Sequence, residues 1–146
     1  MTPEVKFEDL SFRVWRGADL EVSGTARSAA WLRGSAGVSA QKVVALFPPS
    51  EGRPESTVVA EHMTGSLRSH EFFATGGLVA SQAGERIVTS SGRYSRRDGL
   101  LRGDEDVTVF GHAYRLAGRG FTLDPVTHHL TIGGGAHLVT DEAGGR

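Results

Sequence analysis

The sequence predicts an all-β fold, and three observations carry that reading. The 146 residues include 20 glycines and only 8% aromatics. In helices such a glycine load would cost about 1 kcal/mol per residue relative to alanine. No window holds an apolar stripe at the i, i+3, i+4, i+7 spacing of a helix. Short runs instead alternate between two faces, with turn signals about every ten residues, the pattern of a sandwich, barrel or roll.

Taken in order, "FRVWR" sets Phe12, Val14 and Arg16 against Arg13 and Trp15. The proline-rich, polar segment Phe47–Ser56 reads as a long surface loop and not as a linker, because the 46 residues before it are too few for a comfortable separate β domain. "RRDGLL" places Asp98-Gly99 between two strand-like runs, which predicts a two-residue type I′ hairpin tip with both residues at positive φ. "VTVF" puts Val107 and Val109 on one face, "YRLAG" pairs Tyr114 with Leu116, and "FTLD" pairs Phe121 with Leu123. In "LDPVTHHL", Asp124 and Pro125 suit the first two positions of a turn. "LTI" then pairs Leu130 with Ile132, and the tail "TDEAGGR" reads as frayed. Alternation of this kind belongs to a mostly antiparallel sheet.

Length points to one domain over residues 1–146. A net charge of −1 argues against a nucleic-acid partner, which needs a concentrated basic surface. The chain has no cysteine, which removes disulfides, thiol catalysis and cysteine-ligated metals. No run approaches a membrane span, and no signal-peptide pattern precedes "MTPEVKFEDL". A cytosolic protein, or one whose targeting segment is gone, is the reading those features allow.

Similar outlines recur along the chain. An aromatic-led strand, a tight turn and a strand ending in glycine run from Tyr94 to Gly103, and again from Phe121 to Gly133 with a longer turn. "AEHMTGSLRSHEFFATGGLVAS" is a third copy, and "SGTARSAAWLRGSAGVSA" a weaker fourth, each unit being about 25–31 residues long.

These residues, from about Val58 to Val139, resemble the OstA-like repeats of lipopolysaccharide-transport proteins, and most of all the periplasmic LptC-like domains. The chain departs from that pattern at His128, where the family has glycine after Asp-x-x-Thr, and in having no membrane anchor before the domain. The resemblance implies an open antiparallel β-jellyroll, a taco-like roll of consecutive V-shaped strand pairs. It implies no enzymatic activity and no cofactor. Its ligand would be lipopolysaccharide, relayed through the periplasm from the inner-membrane ABC transporter towards the outer membrane, with the domain anchored to the inner membrane by a segment missing from this chain. The acyl chains would lie in a groove lined by Val107, Val109, Tyr114, Phe121, Leu123, Leu130, Ile132 and Leu138. An LptA-like jellyroll would pair with the last strand, at Leu130, Thr131, Ile132, Ala136, His137 and Leu138. Burying lipid methylenes is worth about 0.8 kcal/mol each, so such a groove needs no catalytic group.

Other chemistries fit the residues less well. His128, His129, His137 and Asp124 are metal-ligand types, but neighbours on a strand point to opposite faces. "GRG" and "GGG" precede no helix that would hold a phosphate, and there is no G-x-S-x-G elbow. Arg93, Arg96, Arg97 and Arg102 gather around one hairpin, where they suit either solvent or the phosphates of a lipid. Phe12, Trp31, Phe73, Tyr94, Tyr114 and Phe121 suit either a closed core or a lipid groove. A carbohydrate-binding or adhesin sandwich is the alternative from another class, weakened by the absence of any asparagine, and a ligand-free structural roll is a third reading.

Overall fold

The computed structural model describes residues 4–32, 36–66 and 68–140. Ten strands lie among them: β1 (Glu4–Arg16), β2 (Asp19–Leu32), β3 (Gly37–Phe47), β4 (Ser56–Ser66), β5 (Glu71–Gln82), β6 (Glu85–Thr89), β7 (Gly92–Ser95), β8 (Leu100–Phe110), β9 (Tyr114–Asp124) and β10 (His129–Thr140). All belong to one antiparallel sheet in the order β1-β2-β3-β4-β5-β6-β8-β9-β10, with β7 between β5 and β8. Strands β6 and β7 are the two halves of one strand, interrupted at Ser90-Ser91, where Ser90 carbonyl accepts from Gly77 N–H at 3.0 Å. Strands β1 and β10 are the free edges, so the sheet is rolled but not closed into a barrel. The expected all-β antiparallel roll is therefore present. Of the tail "TDEAGGR" expected to fray, Thr140 closes β10 and residues 141–146 lie outside the described residues.

The repeat is sharper than its motifs suggest. Ser66, Ser95 and Asp124 stand 29 residues apart, and each opens a four-residue loop. In all three loops the first residue's carbonyl accepts from the N–H four residues on: His70 to Ser66 at 3.1 Å, Gly99 to Ser95 at 2.8 Å, and His128 to Asp124 at 2.6 Å. That donor is left-handed each time, with φ of 63°, 73° and 63°. The two-residue type I′ tip expected at Asp98-Gly99 is thus corrected to a loop over 96–99. Only Gly99 of that pair has positive φ, and Asp98 instead accepts from Leu100 N–H at 3.0 Å. Side-chain oxygens complete the other two loops, Ser66 accepting from Arg68 N–H and Asp124 Oδ1 from Val126 and Thr127 N–H. A true two-residue turn occurs elsewhere, at Ala83-Gly84 between β5 and β6, where both φ values are positive.

Several of the pairings are also interrupted midway. Pairing slips between Ala60 and His62 in β4, between Gly103 and Asp106 in β8, and between Gly134 and His137 in β10. Opposite the first of these, Gly76 and Gly77 take φ of 79° and 127°, a conformation that side chains rarely adopt. Bulges add twist and bend the strand that carries them, so their alignment across neighbours makes a crease along the roll.

Within each arm of the crease the inner face is a continuous row of directly paired residues. One row runs Phe12, Gly24, Ala45, Val58, Ala80, Ile87, Val109, Leu116, Leu138. The other runs Val5, Trp31, Val38, Gly65, Phe72, Tyr94, Leu101, Leu123, Leu130. The core forms where these two rows face each other.

Candidate functional site

The size of the residues in those rows decides where space is left. In β8 to β10 the inner face carries large side chains, and the interior is filled: Val107, Val109, Phe121 and Leu123 are 1%, 2%, 4% and 0% exposed. In β1 to β5 the corresponding inner positions include Gly24, Ala26, Ala29, Ala40, Ala45 and Ala74. Small side chains facing each other across a roll cannot meet. A cavity of about 340 Å³ remains there, walled by Leu10, Phe12, Val14 and Val22 from β1 and β2, by Val38, Val43 and Phe47 from β3, and by Val58, Met63, Phe72 and Leu78 from β4 and β5. None of its 23 lining residues is charged, and Ser39, Trp31 and Tyr94 are the lining residues whose side chains bear a polar group. Phe7 and Trp31 also line it yet remain 38% exposed, so the cavity opens towards the N-terminal end of the roll.

The other end is stoppered. Phe47 and Tyr94 meet edge to face with ring centroids 6.4 Å apart, and buried Pro125 joins them in the cavity wall. Burial, with Glu21 nearby, pushes the Tyr94 phenol up to about 12.

Loops from opposite arms then fasten the seam of the roll. The β9–β10 loop reaches the far arm. Ser56 hydroxyl donates to Pro125 carbonyl, and Gln82 Nε2 donates to both Pro54 and Val126 carbonyls at 3.1 Å. His128 Nε2 lies 3.0 Å from Glu85 Oε1, and Tyr114 hydroxyl donates to the other oxygen of that carboxylate. Burial holds the His128 imidazole below its ordinary pKa, with the Glu85 charge opposing that effect. The hydrogen bond to Glu85 raises Tyr114 to about 12. A second fastening joins the β1–β2 hairpin to the β7–β8 loop. Arg16 Nε and Arg96 Nη2 lie 3.1 Å and 3.4 Å from the same oxygen of Glu21. Arg96 Nη2 also donates to Trp15 carbonyl at 3.2 Å, and Arg16 Nη2 to Arg96 carbonyl at 3.4 Å.

The residues expected to line a groove are distributed differently from the cavity. Val107, Val109, Phe121 and Leu123 belong to the filled core, and Tyr114, Leu130 and Ile132 are half-buried against it. Leu138 is 58% exposed on the edge strand, and none of the eight lines the cavity. On that same edge Leu130 and Ile132 face inward, whereas Thr131, Ala136 and His137 are exposed. Of the aromatics singled out in the sequence, Phe12, Trp31 and Tyr94 line the cavity, whereas Phe73 is exposed and paired with Arg93. The arginine cluster divides. Arg96 enters the seam, Arg102 pairs with Asp98 at 2.7 Å, and Arg93 lies exposed opposite Arg102. The three histidines do not converge. His128 turns in to Glu85, and His129 and His137 are exposed. Sequence reasoning missed the lining contributed by β1 to β3. Its available signal was glycine and alanine at alternate positions of "SGTARSAAWL", where a packed core would need larger side chains.

An uncharged cavity of this kind can bind an apolar chain. No family model matches the sequence, and no curated protein matches it either. The fold is similar to that of LptH from Pseudomonas aeruginosa, the LptA-homologous periplasmic component of its lipopolysaccharide transport device. The TM-score is 0.54 over 96% of each chain, at 9% sequence identity.

Proposed function

We propose that this protein is a non-enzymatic carrier that holds the acyl chains of lipopolysaccharide in the cavity of β1 to β5, in the manner of the LptC-like periplasmic domains. The observation that carries this reading is the absence of any charged side chain around a cavity that is open at one end. The likeness of the fold to LptH supports the same reading. Transfer from water stabilises each buried methylene by about 0.8 kcal/mol, which suffices for binding without a polar anchor inside. In this reading residues 1–146 act as one jellyroll in the periplasm. The β1 edge meets the inner-membrane ABC transporter, and the β10 edge accepts a strand from an LptA-like jellyroll. Among the described residues no helix is long and apolar enough to cross a membrane.

The proposed lipid-facing set also changes. Phe12, Val38 and Met63 replace Val109 and Leu123 as the first contacts, because the latter are sealed in the filled core. Photo-crosslinkers at Phe12, Val38 and Met63 should label lipopolysaccharide, whereas crosslinkers at the exposed Thr25 and Thr64 should not. Equal labelling from both sets would overturn the groove reading.

A further inference from the structure

We propose that the Arg16–Glu21–Arg96 fastening is a head-group site for an anionic amphiphile, with Glu21 standing where a phosphate sits once lipid is bound. It rests on the carrier role proposed above. Val14 and Val22, on the hairpin that bears Arg16 and Glu21, line the cavity, as does Tyr94, two residues from Arg96. The fastening therefore borders the wall of the cavity, where the head group of a chain lying along Val14 and Val22 would meet it. There, two guanidinium groups share one oxygen of one carboxylate, which leaves a net positive charge. Arg96 Nε is buried with no acceptor. A phosphate monoester offers three oxygens, enough to receive both guanidinium forks and that orphan N–H together. Exchange can begin at Arg16, whose side chain is 66% exposed, whereas Glu21 and Arg96 are more deeply buried. Arg93 and Arg102 take no part. They pair with each other across β7 and β8, and Arg102 is held by Asp98.

The site is tested by calorimetric titration of the full chain at low salt, below micelle-forming concentrations, with dodecyl phosphate, dodecyl maltoside and inorganic phosphate. Dodecyl phosphate should bind about tenfold more tightly than the neutral maltoside. That preference should shrink with added salt. It should fall to about parity in Arg16→Gln and Arg96→Gln, and rise in Glu21→Gln. Arg16→Gln, at an exposed side chain, keeps the test decisive should Arg96→Gln fail to fold. Equal affinity for the two head groups, or a preference that survives both arginine substitutions, overturns the site. So does inorganic phosphate binding as tightly as dodecyl phosphate, which would mark a site for the free ion. Failure of both amphiphiles to bind would overturn the carrier reading itself.

Discussion

His128 shows how much one residue can carry. Its backbone takes the left-handed conformation that glycine fills in the equivalent loop at Gly99, and its ring spends that strained position on a contact with Glu85 across the seam. Burial lowers its pKa in the folded protein below the ordinary 6.5. For a base the sign follows directly. Between the folded pKa and about 6.5 the unfolded chain binds the extra proton, so stability rises with pH through that window and is lost as pH falls through it. Denaturant unfolding from pH 7.5 down to pH 5 should therefore show a loss that His128→Asn abolishes. Asparagine tolerates the left-handed backbone and does not titrate. An equal loss in both proteins would assign the pH dependence to other groups.

At the scale of elements, the 29-residue unit is a strand, a turn, a second strand and a four-residue loop closed by one left-handed residue, with the bulge inside a strand. The loop works because its fourth position alone needs positive φ, and because a serine or aspartate at its start can satisfy the exposed N–H groups inside it. Gly99 and Gly134 separate conformation from contact, since a Cβ built on either meets nothing within 4 Å, and Gly99 alone of the two has positive φ. Gly99→Ala should then lower stability by about 1 kcal/mol, whereas Gly134→Ala should be close to neutral. Thermal melts of the two variants decide it, and equal melting temperatures would mean that the loop relaxes around alanine.

Across the whole molecule, the two free edges differ in character. Strand β1 carries Glu4, Lys6, Glu8, Asp9, Arg13 and Arg16, charges that discourage pairing with another sheet. Strand β10 ends in exposed Leu138 and Val139 and holds no proline. An unprotected apolar edge is what an incoming strand requires. Successive amides on a strand face opposite ways, so of Leu138→Pro and Val139→Pro one removes a donor from the free edge and the other removes a bond to β9. The first should abolish co-elution with an LptA-like jellyroll while keeping its circular dichroism spectrum. The second should melt at a lower temperature. If both still bind, β10 is not the docking edge.

The sequence alone determined the fold class, the places of the turns and the repeat, because these rest on local rules: alternation for strands, glycine and aspartate for turns, and self-similarity for the roll. It did not determine the form of the loop at Asp98-Gly99. Of the residues expected to point inward, Val107, Val109, Phe121 and Leu123 are buried, whereas Leu138 is 58% exposed. Only the tertiary structure decided which inward residues touch each other and which face empty space. Leu123 and Ala45 share the inner face and the alternating pattern, yet one is sealed in the core and the other borders a cavity. The difference lies in what stands across the roll, residues far away in sequence whose combined volume either fills the interior or leaves room. The seam has the same origin. Arg96 meets Glu21 across 75 positions and His128 meets Glu85 across 43, and such contacts depend on how far the sheet curls rather than on any local pattern.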